Sequence, residues 1–294
     1  MNDWVLLTIV ATVLWAGTNI LDKYILSKLV NNPLLPLIFS CCIGFIAAII
    51  IFFLTKGTPL PFNYILVTLA AGVCYTVAIS LYFKAVLIED ISKIVALWYL
   101  TPLFTALFSA IFLHEVFTFQ KYLGLVFLVV GAFMIELKEF HFTPSKGLKL
   151  MIISSVFLAV NYVAIKYALD QSDFWTVFAW ARFGSFVGLI PFVYIQRQII
   201  IRSLAQLPKK AAILMSVSEG TGTAGIVFIT AAAATGYATL VNAFSSIQPL
   251  FVLIFSIILS LFFPAILKEV FTKKTAARRL LAIVCMVVGA MLVV

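Results

Sequence analysis

The sequence predicts an all-α integral membrane protein whose ten transmembrane helices form two inverted five-helix repeats. Two observations predict it: an apolar excess that water cannot accommodate, and an ordered set of landmarks written twice. The 294 residues are 64% hydrophobic and 11% charged, with a mean hydropathy of +1.18. A soluble domain is about a quarter charged and could not hide this much apolar surface.

A bilayer core about 30 Å thick takes roughly 20 apolar residues of helix. Runs of that kind occupy 4–22, 33–54, 62–83, 94–113, 119–137, 150–168, 174–195, 211–234, 238–266 and 279–294. They are too long for barrel strands and do not alternate with period two, so only helices satisfy their backbone in lipid. The first run lacks the basic stretch and small-residue cleavage site of a signal peptide, and is read as a retained helix. The second and third hold Cys41, Cys42 and Cys74, and the tenth holds Cys285. These four read as buried small side chains, not as disulfides or metal ligands. Runs four and nine carry central prolines, Pro102 and Pro249; runs seven and eight carry Arg182 and Glu219. The connections are short and leave no room for a soluble domain.

The net charge of +9 would point to nucleic acid in a soluble protein; here its distribution sets topology. Of 20 Lys and Arg, 16 lie in the loops and helix ends after runs one, three, five, seven and nine. Only 3, Lys56, Lys121 and Lys166, lie on the other side. The positive-inside rule places the 16 in the cytoplasm and both termini outside. A terminal tag is expected to react with membrane-impermeant reagents on intact cells; protection of the tag would reverse the orientation. The expected location is a bacterial inner membrane, with lipid and a small-molecule solute as partners and no nucleic acid.

The phrase LHEVFT at 113–118 returns as LKEVFT at 267–272. WAGTNILDKYIL at 15–26 has its counterpart in LAVNYVAIKYAL at 158–169, with Lys23-Tyr24 matching Lys166-Tyr167. YLTPLF at 99–104 matches SIQPLF at 246–251, and VVGA at 129–132 matches VVGA at 287–290. The order is kept, which divides the chain into repeats over 1–140 and 147–294. Five helices per repeat is an odd number, so the second copy enters the membrane from the opposite side.

These landmarks resemble the EamA-type members of the drug/metabolite transporter superfamily, over nearly the whole chain as two five-helix units. The resemblance rests on the helix 1 stretch, the paired prolines, Glu115 and Glu269, and Thr118, Gln120, Gly124 and Gly131. The second half keeps Glu269, Thr272 and Gly289 but has Arg278 and Ala282 where Gln120 and Gly124 align. The resemblance implies a carrier with a central cavity lined by helices 1, 3, 4, 6, 8 and 9, for substrates such as amino acids, other metabolites, sugars or drugs.

Residue chemistry gives the candidate sites. Glu115 and Glu269 sit at helix ends and read as part of a structural turn, with Thr118 and Thr272 placed to cap the next helix. Gly124 with Gly131, and Ala282 with Gly289, form small-residue faces for packing between the halves or in a homodimer. Pro102 and Pro249 break their helices and orphan the carbonyls of Trp98 and Ser245. Paired breaks at mid-membrane mark either a substrate site or a plain kink. Around them lie Trp98, Tyr99, Asn242, Ser245 and Gln248, with Trp15, Thr18 and Asn19 from helix 1 and Asn161 from helix 6; aromatic walls with a few polar groups suit a small organic solute. Arg182 and Glu219 must each face a partner or a wet cavity, because a charge near the bilayer centre costs at least about 2.5–3.5 kcal/mol. Either they pair with each other, or Glu219 carries protons and Arg182 holds a substrate carboxylate. Gly220, Gly222 and Gly225 let the helix after Glu219 bend or admit a close neighbour.

The function expected is secondary transport of a small organic metabolite, an amino acid or related compound, outward by alternating access coupled to protons or to exchange. No Walker motif supplies ATP binding. The alternatives are a channel or scaffold and, less well supported, a membrane enzyme. The only histidines, His114 and His141, fall in different loops, and no paired-His motif occurs, so neither metal nor cofactor is expected.

Overall fold

The computed structural model describes residues 3–30, 32, 34–55, 60–88, 91–136, 145–262 and 273–294. Glu269 and Thr272, with Lys56, Lys138, His141 and Lys268, lie outside the described residues. Every described element is a helix. In chain order they are α1 (Asp3–Lys28), α2 (Leu34–Leu54), α3 (Phe62–Val86), α4 (Ile91–Trp98), α5 (Thr101–Phe112) and α6 (Phe119–Glu136). Then come α7 (Lys146–Leu169), α8 (Phe174–Ala205), α9 (Lys209–Thr235), α10 (Ala238–Ser245), α11 (Gln248–Phe262) and α12 (Lys273–Val293).

Among the described residues nine spans, counting α4–α5 and α10–α11 as one each, are long and apolar enough to cross a membrane. The predicted tenth, α12, opens on Lys273, Lys274, Arg278 and Arg279. Only 280–293 is uniformly apolar, which is short of a full crossing. The chain is an integral, multi-pass membrane protein. Two helices run well past their apolar stretches. α1 continues six residues beyond 22, to Lys28. α8 holds 32 residues, contains Pro191, and bends at Gln196, where φ is −105° and ψ is 15°. Pro191 removes one ladder donor and wedges the turn before it, whereas the bend at Gln196 lies five residues beyond.

Both prolines of runs four and nine stand where a helix is broken. α4 stops at Trp98 and α5 starts at Thr101; α10 stops at Ser245 and α11 starts at Gln248. Each break is tightened by i to i−3 bonds. Tyr99 and Leu100 N–H donate to Ala96 and Leu97, and Ser246 and Ile247 N–H donate to Ala243 and Phe244, all at 3.1 Å. The Trp98 carbonyl finds a substitute donor in its own break, the Thr101 hydroxyl at 2.7 Å.

The helix pairings are reciprocal between the two halves. α1 packs on α9, and its counterpart α7 packs on α3; α2 packs on α8, and α6 on α12. The largest apolar core gathers Trp4, Tyr99, Leu128, Phe244 and Met286 from α1, the α4–α5 break, α6, α10 and α12. The small-residue faces are spent inside this chain. A Cβ on Gly124 would lie 2.8 Å from the Gly289 carbonyl oxygen, and one on Gly131 would lie 2.6 Å from the Met286 side chain.

The tightest seam joins α3 to α8. A Cβ on Gly72 would run into the Ala181 carbonyl, and one on Gly184 into the Leu69 carbonyl. Beside them the Thr76 hydroxyl donates to the Ser185 carbonyl at 2.7 Å. Gly184→Val is therefore expected to lower stability by about 3 kcal/mol, the upper end for overpacking, because backbone cannot yield as a side chain can. Gly220 has nothing within 4 Å of an added Cβ. Gly220→Ala should be neutral or stabilising by up to about 1 kcal/mol from helix propensity. Thermal unfolding of both variants in detergent checks the contrast; equal midpoints would mean that the α3–α8 seam is looser than its geometry.

Candidate functional site

Trp15, Thr18 and Asp22 stand three and four residues apart on α1 and share the face that meets α9. The Trp15 indole N–H donates to the Gly222 carbonyl at 3.2 Å, and Gly225 gives it room: a Cβ there would lie 2.5 Å from the indole nitrogen. The Thr18 hydroxyl reaches the Leu14 and Ser218 carbonyls, each at 3.2 Å. The Ser218 hydroxyl donates to Asp22 Oδ1 at 2.7 Å. The glycines after Glu219 thus admit a neighbour; α9 carries no recorded kink there.

Glu219 is the next residue along α9 and is only 8% exposed. Its Oε2 would lie 3.9 Å from a Cβ on Gly222, a position that is also 3.7 Å from the Thr18 hydroxyl. Ser40 of α2 lies within hydrogen-bonding reach of the Glu219 carboxyl and of the Tyr75 hydroxyl of α3. Arg182 of α8 lies over the Tyr75 ring, its guanidinium carbon 4.6 Å from the centroid. It is 2% exposed, and its Nε has no hydrogen-bond partner. Its stem passes Gly44, where a Cβ would be 3.0 Å from Cδ.

Arg182 and Glu219 do not form the ion pair that burial alone suggested; the ion pair present among the described residues is Lys166 with Asp170, at 3.0 Å. Ser40 and Tyr75 stand between them, and each charge has a different neighbour: an aromatic face for Arg182, the α1–α9 polar seam for Glu219.

The remaining candidates divide. Asn161 is committed to structure, its amide donating to the Ala71 carbonyl at 2.8 Å and tying α7 to α3. Asn19 is exposed, away from the buried seam. Trp98 packs edge-on against Tyr82 at 5.0 Å, and Tyr99 is buried in the main core. At the second break the Ser245 hydroxyl turns back to the Asn242 carbonyl at 2.7 Å, Gln248 is half-buried, and Asn242 Oδ1 and the Ser246 hydroxyl are buried without partners. Sequence reasoning missed Asp22, Ser218, Ser40 and Tyr75. Asp22 is the last residue of the first apolar run and drew no reading of its own. The signal that could have found it is the spacing from Trp15 and Thr18, which puts it on their face. No three His, Cys, Asp or Glu among the described residues gather as a metal site.

The profile of the EamA-like transporter family matches residues 2–137 and, a second time, 145–294. The chain belongs to the EamA-like transporter family. No curated protein matches it. A solved structure described only as "Crystal structure of protein" is 17% identical, with a TM-score of 0.71 over 98% of this chain and 96% of that one. At that identity it shares the fold alone. The buried polar seam lies where the two EamA matches meet: α1, α2 and α3 come from the first, α8 and α9 from the second.

Proposed function

We propose that this EamA protein is a secondary transporter that exports an amino acid or related metabolite, driven by protons or by exchange, through alternating access of two inverted halves. The observation that carries the reading is the pair of buried charges at the meeting of the two halves that do not neutralise each other. Arg182 has a free donor for a carboxylate, and Glu219 is a carboxyl able to take a proton or face an ammonium group. Buried charges at the repeat interface are the usual place for substrate and coupling-ion sites in inverted-repeat carriers. The reciprocal helix pairings and the matched breaks at Pro102 and Pro249 support this arrangement. The excess of basic residues on one side supports termini facing outward.

The test loads proteoliposomes with a mixture of amino acids and small metabolites, imposes an inward proton gradient, and identifies by mass spectrometry what leaves. Selective loss of one class against empty liposomes is expected. Glu219→Gln should remove the gradient-driven part of that flux, about tenfold or more, while leaving the protein folded. Full pH-driven flux in Glu219→Gln would sink the coupling role, and no selective loss from the wild type would sink the carrier reading.

A further inference from the structure

Asp22 is an acidic side chain inside the first span, and nothing in the function stated above uses it. Its Oδ1 accepts from Ser218, a residue with no solvent exposure, at 2.7 Å. Glu219 follows Ser218 on α9, and its Oε2 and the Thr18 hydroxyl lie 3.9 and 3.7 Å from the same point, a Cβ on Gly222. The Thr223 hydroxyl, one turn further along the same face of α9, is 6% exposed and has no partner. The Thr18 hydroxyl closes the seam from α1. The seam therefore holds two carboxyls from opposite repeats, a hydroxyl that orients one of them, and an unused hydroxyl beside the other.

We infer that Asp22 is the second carboxyl of the coupling site: Asp22 and Glu219 line the α1–α9 seam from opposite repeats and titrate as a pair, with Ser218 orienting Asp22. Two carboxylates on one apolar seam repel each other, so a proton on either is held more tightly while the other is charged. The groups that could relieve them are accounted for. From α2 come Ser40 and Cys41, both neutral donors. From α3 come Tyr75, under the Arg182 guanidinium, and Tyr82, packed on Trp98, and from α6 comes Glu136 near Tyr82. Arg182 of α8 rests on Tyr75, and from α7 Tyr162 lies near Tyr75 while Lys166 is held by Asp170. α10 and α11 carry no titratable side chain. The neighbouring Lys23 is exposed on α1.

A pair that spans the two repeats has a use that a lone Glu219 lacks. The influence of each carboxyl on the other depends on α1 and α9 being in contact, so any movement of one half against the other changes how tightly a proton is held. That links protonation to the conformational change of alternating access. The inference rests on the transporter reading, and its first test is independent of it.

Infrared difference titration of the purified full chain in detergent follows the protonated carboxyl band. The wild type is expected to lose its buried protons in two separated steps that belong to the pair. In Asp22→Asn one step remains, and it lies about one pH unit or more lower, because the neighbouring charge is gone. Asp22→Glu keeps two steps. Ser218→Ala, which keeps both carboxyls, serves if Asp22→Asn fails to fold, and should shift the two-step pattern. A Glu219 step unchanged in Asp22→Asn, or a Ser218→Ala titration superimposable on the wild type, overturns the pairing of the two acids. Efflux from the same preparation, loaded with the amino-acid mixture, separates the two readings. Coupled titration without wild-type efflux removes the transporter and keeps the pair; wild-type efflux that Asp22→Asn retains in full under a proton gradient removes Asp22 from coupling.

Discussion

Glu115→Ala is expected to cost about 2–4 kcal/mol, large for a residue at a helix hairpin. The side chain is 6% exposed and works across the molecule. Its Oε1 accepts from the Ala238 N–H at 3.0 Å, and its Oε2 from the Thr239 N–H at 3.1 Å and the Thr239 hydroxyl at 3.0 Å. Those are the first N–H groups of α10, which have no partner within the helix. Tyr237, at the N-cap position, supplies no side-chain bond. Glu115 is therefore the cap of α10, and its negative charge meets the positive end of that helix. Losing a cap costs up to about 2 kcal/mol, and each donor left unsatisfied adds about 1–3 kcal/mol. The turn that delivers Glu115 is specific as well. His114 takes φ 56°, and the Glu115 N–H returns to the Ser109 carbonyl at 3.2 Å. Glu115→Gln keeps the length but replaces an acceptor with a donor and should recover only part of the loss. Thermal midpoints in detergent check both variants; an unchanged midpoint in Glu115→Ala would mean that water replaces the carboxylate without cost.

The helices themselves were legible because hydrophobic length and backbone satisfaction in lipid leave one solution. The breaks were legible because proline lacks its N–H wherever it stands, so Pro102 and Pro249 announced them without tertiary knowledge. The glycine faces were legible as packing faces, and the structure pairs Gly124 with Gly289 inside this chain. Glu115 was read as a structural turn, and its role is structural. That the partner is the first turn of α10, 123 residues away, is a tertiary fact that no local pattern carries. Asp22 was lost for a related reason. An apolar run ends at the first charged pair, whereas α1 ends where its hydrogen bonds do, six residues later. Asn161 shows what a sequence pattern leaves out: a polar side chain in an apolar run suggests a ligand, and here its amide N–H bonds the backbone of α3. Arg182 and Glu219 looked like natural partners because burial demands compensation, but cation–π contact and hydroxyls are compensation too.

Arg182→Met is expected to raise stability while abolishing gradient-driven transport. A guanidinium held inside the membrane costs at least about 2.5–3.5 kcal/mol by insertion scales. Its contact with Tyr75 returns up to about 2 kcal/mol, and no carboxylate adds to that. The balance leaves about 1 kcal/mol of destabilisation that methionine would remove, since its unbranched stem can still fill the space beside Gly44. A charge kept at net cost is the mark of a functional group, because packing alone would favour an apolar side chain there. Arg182→Lys separates charge from shape. It keeps the positive charge but cannot lie flat on the ring or present a planar fork to a carboxylate, so transport should fall strongly without the gain in stability. The measurements are the thermal midpoint in detergent and efflux from loaded proteoliposomes. A fall of more than about 1 kcal/mol in Arg182→Met would make Arg182 a structural tie between α8 and α3. Retained efflux in Arg182→Met would show that the substrate is held elsewhere, with the break at Asn242 and Ser246 the next place to look.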